Sequence, residues 1–164
     1  LAGEKFPLRG RNYKLKIIRK ENTEPSLCFY KGTFTAIIPE AVSYDEYREI
    51  LRPLFLRFYH KKSQEMIMER VKKYEIYFDK KPEKIRTKEL KNTWGTCSGR
   101  NNISFNWRLV FAKTSIIDYV VIHELCHLKH KNHSKKFWKN IEKIMSNYKE
   151  NKEWLRIHGN TLNI

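Results

Sequence analysis

Residues 114–134 read TSIIDYVVIHELCHLKHKNHS, and the reading of this stretch decides how the rest of the chain is read. Between positions 116 and 128 the run is apolar apart from Asp118, His123, Glu124 and His127. It is too long for a strand, so it predicts a helix buried on most of its circumference, capped by Thr114 or Ser115. On such a helix His123 and His127 stand four residues apart, about 40° around the axis and one turn along it. Both imidazoles then reach one metal ion, and Glu124 projects beside it, within reach of a water on that ion.

An open catalytic metal site needs a third protein ligand. His130 lies about 10.5 Å along a continuous helix from His123, whereas ligand nitrogens on one zinc sit only about 3 Å apart. A regular helix therefore excludes it. His133 follows Asn132, a residue tolerant of the left-handed conformation that ends helices, and there the chain can turn back to the metal. An acidic ligand from a following helix, Glu142 or Glu150, is the alternative. Three protein ligands leave a fourth position for water and lower its pKa toward about 7. Glu124 would take the proton as general base and deliver it to the leaving group. The chemistry expected is metal-assisted hydrolysis, most naturally of a peptide bond, with one zinc ion per chain.

Outward from this helix, residues 1–40 read as mainly β, 43–79 as helical, 83–112 as β, and 114–158 as helical with the metal site. Together they make one domain over 1–164. Residues 13–20 (YKLKIIRK) and 33–38 (TFTAII) are strand-like around a Lys31-Gly32 turn, predicting a hairpin or small meander. Ser43 is placed to cap a helix that Pro53 kinks or restarts, continuing from 54 to about 78. Residues 83–90 and 102–107 predict strands flanking NTWGTCSGR (92–100), where Gly95 and Gly99 suggest turns or a bulge. Ser134 caps a helix with Phe137, Trp138, Ile141, Ile144 and Met145 on one stripe, and a last helix covers 150–157. The class is α+β, a small sheet with helices packed on it.

Composition narrows the function classes. Nine Phe, nine Tyr and four Trp in 164 residues are too many large apolar side chains for a disordered chain. No window approaches eighteen apolar residues, which excludes a membrane-spanning helix. The first residues hold no apolar secretory core, and a start at Leu1 rather than Met leaves room for a trimmed upstream segment. Cys28, Cys97 and Cys126 are odd in number and widely spaced, favouring a reducing, cytoplasmic setting. A net charge of +16 invites a nucleotide or nucleic-acid partner. The excess is spread, however: +4 over residues 1–60, +7 over 61–112 and +5 over 113–164.

WGTCS (94–98), ISFNWRL (103–109), DYVVIHELCHL (118–128) and NHS (132–134) with Phe137-Trp138 together resemble the YgjP-like metallopeptidase domain, a small HExxH zincin related to SprT-like proteases. The resemblance is dense over 83–158 and weaker toward the N-terminus. Thr96 stands where the family often has Ser, and Ser146 where Pro commonly follows. The resemblance implies a zincin-like α+β fold with a small mixed sheet against the HExxH helix, zinc on His123, His127 and His133, and Glu124 as catalytic carboxylate. It also brings an alternative, since nucleotide pyrophosphatase activity has been attached to relatives: the same metal could hydrolyse a nucleoside triphosphate. A third reading is a nucleic-acid-binding module with a structural or vestigial metal site. The remaining side chains have plainer expectations. Cys126 reads as a buried hydrophobe, Cys97 as a structural thiol with a place near the cleft as the alternative, Trp94, Phe137 and Trp138 as core, and His60 and His158 as solvated. Asn106 either orients a ligand histidine or shapes a turn, while Arg100 and Arg108 are candidates to steady an oxyanion or phosphate beside their commoner role at the surface.

Overall fold

The computed structural model describes residues 3–164. Two short hairpins open the chain. β1 (Lys5–Leu8) pairs antiparallel with β2 (Arg11–Lys20), and β3 (Ser26–Tyr30) pairs antiparallel with β4 (Thr33–Pro39). Both loops have two residues, Arg9-Gly10 and Lys31-Gly32, all at positive φ, the backbone of the tight turns whose twist matches the flanking strands. Each hairpin closes on itself, so β2 and β4 meet as parallel neighbours and the sheet order is β1-β2-β4-β3. The expected hairpin or meander between residues 13–20 and 33–38 is thus corrected. The sequence signal missed β3, whose Ser26 and Cys28 face solvent, and β1, which contains Pro7.

α1 (Tyr47–Tyr74) lies across this sheet. Leu51, Phe55, Tyr59, Ser63, Ile67 and Val71 are buried at four-residue steps, the stripe an amphipathic helix presents to its core. Phe6, Phe34, Phe58 and Phe111 join Phe55 and Tyr59 in one aromatic cluster, each buried ring contributing roughly 1.5–3 kcal/mol. The helix is continuous through Pro53 and does not restart there. It is preceded by a 3₁₀ turn, Tyr44–Glu46, where Glu46 accepts the Ser43 backbone N–H at 3.1 Å.

A second sheet follows, ordered β5-β7-β6: β5 (Lys84–Lys88), β6 (Gly95–Cys97) and β7 (Asn102–Asn106), with β5 parallel and β6 antiparallel to β7. Gly95 therefore sits in a strand, not in the turn expected of it. A buried 3₁₀ segment, Trp107–Phe111, leads to α2 (Thr114–Cys126), with Lys113 rather than Thr114 or Ser115 at its N-cap. α2 is the central element, packed between α1, the β6 edge, α3 (Lys135–Ile144) and α4 (Tyr148–His158). It is buried from Ile116 to Ile122 and again from Glu124 to Cys126. This α+β arrangement, a small mixed sheet against the HExxH helix with further helices behind, is the one expected. Asp118 ties α2 to α1 by accepting from Arg70 Nε at 2.6 Å, Arg70 Nη2 at 2.8 Å and the Tyr74 hydroxyl at 2.8 Å. Among the described residues no helix is long and apolar enough to cross a membrane.

Candidate metal centre

His123 and His127 project from the last turn of α2, one helical turn apart. After Cys126 the helix closes: the His130 N–H donates to the Cys126 carbonyl at 3.0 Å. The chain then reverses through Lys131 and Asn132, and Ser134 caps α3 by accepting the Phe137 N–H at 3.3 Å. This reversal sets His133 over the two helix histidines. One ring nitrogen from each of His123, His127 and His133 lies within 4.8 Å of the others. Nε2 of His123 and Nε2 of His133 are 3.2 Å apart, the spacing of two ligands on one tetrahedral ion with bonds of about 2.0–2.1 Å. Glu142 and Glu150 are exposed on the following helices and do not join the cluster.

The opposite ring nitrogens are engaged. His127 Nδ1–H donates to the His130 carbonyl at 2.9 Å, since a carbonyl only accepts, and this leaves the Nε2 lone pair free. His130 thus contributes its backbone and not its ring. Nδ1 of His123 lies 3.3 Å from the Tyr119 hydroxyl, one turn earlier on α2. Phe137, fully buried, touches all three imidazoles, stacked on His127 at 4.5 Å and edge-on to His123 and His133 at 5.0 Å. Trp138 stacks on His133. Both were expected to be core; Phe137 is core and also the floor of the cluster. Its place three residues after the Ser134 cap was the available signal.

Burial drives His123 down to about 3, helped by His127 and His133, and lowers His127 as well, so both rings are neutral with lone pairs to offer. Glu124 is 4% exposed and burial pushes it up to about 8. No protein group hydrogen-bonds its carboxylate among the described residues. Its neighbour is Gly95, where a Cβ would lie 2.7 Å from Glu124 Cγ and 2.9 Å from Oε2. Glycine is needed there for close approach, not for a turn. Neutral imidazoles beside a buried carboxylate without a partner are a donor set suited to a cation.

The cluster opens into a cleft of about 500 Å³, walled on one side by β6 and on the other by α2, Lys131 and Leu155. Cys97 lies in this wall, 4.0 Å from Lys131 Nζ, so of the two readings of this thiol the one near the cleft describes its place. Cys126 is fully buried and donates to the Phe137 carbonyl. Trp94 also lines the cleft and packs on Gly159. Asn106 shapes the chain without touching a histidine: it accepts from the Arg108 N–H and donates to the Leu90 and Thr93 carbonyls. Arg108 pairs with Glu89 and lies over Trp107, outside the cleft. Arg100 is exposed in the β6–β7 turn. His60 and His158 are exposed and stack on Trp107 and Trp154.

Residues 1–158 match the YgjP-like family, a metallopeptidase domain. The solved structures similar to this chain include two metallopeptidase zymogens. The metallopeptidase zymogen of Pyrococcus abyssi abylysin is 25% identical, covers 60% of this chain and 93% of its own, and has a TM-score of 0.48. The metallopeptidase zymogen of Methanocaldococcus jannaschii jannalysin is 20% identical, covers 60% and 96%, and has a TM-score of 0.47. No curated protein matches the chain.

Proposed function

We propose that this chain, which belongs to the YgjP-like metallopeptidase family, is a zinc-dependent peptidase in which His123, His127 and His133 hold the metal and Glu124 is the general base. The observation that carries the reading is Glu124: a buried carboxylate without a protein partner, facing a cleft at the foot of which three imidazole nitrogens converge.

His123, His127 and His133 would hold a zinc ion, which when bound would supply Lewis acidity toward water and a substrate carbonyl. The chain does the rest. The His130 carbonyl fixes the tautomer of His127 with Nε2 free, and the Tyr119 hydroxyl, able to accept from Nδ1–H, steadies the ring of His123. Glu124 takes a proton from the attacking water at a carboxylate oxygen and passes it to the leaving amine. The α2 backbone and Gly95 hold that carboxylate in place throughout.

β6 supports a peptide as the substrate. It is the edge strand of its sheet. The Asn106 N–H donates to the Trp94 carbonyl and the Ser98 N–H to the Asn102 carbonyl, so the ladder alternation directs the N–H and C=O of Gly95 and Cys97 away from β7, toward the cleft side. An extended peptide can add there as a strand. The nucleotide alternative requires phosphate-gripping cations beside the metal. Among the described residues Lys131 is the cation lining this cleft, and its ammonium is already engaged by the Ser98 carbonyl at 3.3 Å and by Asn101 Oδ1.

Elemental analysis of protein purified without added metal, paired with hydrolysis of a fluorogenic peptide library, tests the proposal. About one zinc per chain is expected in wild type and in His130→Ala, with loss in His133→Ala, and full zinc without hydrolysis in Glu124→Gln. Zinc retained in His133→Ala, or hydrolysis retained in Glu124→Gln, would refute it.

A further inference from the structure

The cleft does not end at Trp94. A second cavity of about 570 Å³ opens on the far side of that indole, and Thr93, Trp94 and Leu155 line both spaces. Its walls are loop 89–93, which leads into β6, together with Arg108, α4 and the C-terminal residues. The partition is firmly built. Buried Asn106 donates from Nδ2 to the Leu90 carbonyl at 3.0 Å and the Thr93 carbonyl at 3.2 Å, and a Cβ at Gly159 would lie 3.1 Å from the Trp94 ring.

The two spaces differ in chemistry. The first surrounds the histidines and Glu124. The second is lined by Glu89, Lys91, Arg108 and Arg156 with the amides of Asn92, Asn160 and Asn163. Glu89 is neutralised locally, accepting from Arg108 Nη1 and from Trp107 Nε1. Arg156 donates Nε and Nη2 to Glu153, which leaves its Nη1 protons. Lys91 has no ion-pair partner among the described residues. The balance is one cation without an ion-pair partner, Lys91, together with the free Nη1 protons of Arg156 and several amide donors, an arrangement that receives an anion.

Strand geometry connects this cavity to the substrate. A peptide added antiparallel to β6, the stronger of the two pairings, advances toward its own C-terminus as β6 is followed back from Gly95 to Trp94 and Thr93. At about 3.3 Å per residue, the part beyond the scissile bond reaches the second cavity within two to four residues. We infer that this cavity is a specificity subsite for a peptide carboxylate, an acidic side chain or the chain terminus, two to four residues C-terminal to the scissile bond, held by Lys91 and Arg156. The inference rests on the peptidase reading above and adds the substrate class that reading leaves open.

The test uses matched peptides with Glu, Gln or Lys at those positions, each with a free or an amidated C-terminus, and wild type, Lys91→Ala/Arg156→Ala and Lys91→Glu/Arg156→Glu proteins. Binding of the same peptides, fluorescently labelled, to Glu124→Gln protein by anisotropy reads the subsite without turnover. The expected result is a preference of about tenfold for the carboxylate over its neutral counterpart, seen in KM and in binding. It disappears in the alanine pair and turns toward Lys in the glutamate pair, while the neutral peptide is handled alike by all three. A Glu preference that survives amidation assigns a side chain; a preference confined to free termini assigns the terminus. Equal binding of Glu, Gln and Lys peptides, a preference unmoved by the variants, or a preference on the N-terminal side would overturn the inference. So would binding of a nucleoside triphosphate at Lys91 and Arg156 in place of peptide. Selective binding with no hydrolysis of any peptide would refute the peptidase reading and leave the subsite standing.

Discussion

Gly95→Ala is the sharpest perturbation the geometry offers, because it adds one methyl group at the point where β6 meets the proposed base. The new Cβ would lie 2.7 Å from Glu124 Cγ, 2.9 Å from Oε2 and 3.0 Å from Cδ. Unstrained carbon contacts need about 3.5–4.0 Å, so one partner must give by roughly 1 Å. The backbone of Gly95 is not at positive φ, so the methyl itself introduces no conformational strain. β6 is tied to β7 along its length, and Glu124 is the side that moves. Overpacking of this kind costs about 1–3 kcal/mol, a drop in Tm of roughly 2–12 °C for a chain this size. Displacement of a catalytic group by about 1 Å costs on the order of 10²-fold in rate. The three histidines are untouched, so zinc content should stay at the wild-type level. The assay is kcat/KM on a fluorogenic peptide beside elemental analysis and a thermal melt. Gly99→Ala serves as the control, since nothing lies within 4 Å of a Cβ there. A folded, zinc-replete Gly95→Ala protein within about threefold of wild-type activity would show that Glu124 is not held where the chemistry needs it.

Three further outcomes are expected. Tyr119→Phe removes the hydroxyl 3.3 Å from His123 Nδ1 and should weaken zinc affinity about tenfold in competition with a chelator; unchanged affinity would mean the contact does not orient the ring. Asp118→Ala leaves Arg70, only 12% exposed, with the exposed Glu69 at 3.4 Å as its remaining carboxylate, and should cost roughly 3 kcal/mol in urea unfolding; a loss below about 1 kcal/mol would exclude the clamp between α1 and α2. Thiol titration of the native protein should find Cys28, which is exposed, reacting first and Cys126 only on unfolding. Burial hides the Cys126 thiol and pushes it up to about 11, so early labelling of Cys126 would contradict its burial.

What was legible in the sequence was local. The apolar run around His123 and His127 could only be a buried helix, and four-residue spacing on a helix has one geometric meaning. The two positions that followed a different logic were Gly95 and Phe137. Gly95 looked like a turn residue because glycine is common in turns, but it is glycine because the side chain of Glu124, distant in the sequence, occupies its Cβ space. Phe137 looked like core because its stripe is apolar, and nothing in that stripe says that its ring lies under three imidazoles. The N-terminal sheet shows the same limit. Each I′ turn is written in two adjacent residues, whereas the parallel pairing of β2 with β4 depends on where two finished hairpins meet.

The sequence by itself determined the HExxH helix, the Ser134 cap, the α+β class and the reversal near Asn132, which the chain makes without the left-handed residue expected there, because period, capping and turn chemistry act over a few residues. Only the tertiary structure decided which ring nitrogens of the three histidines face one another, that Glu124 has no protein partner among the described residues, that the edge of β6 faces the cleft, and that Trp94 borders a second cavity as well as the cleft. Those are properties of approach between segments distant in the chain, fixed by packing around α2, and no local pattern encodes them.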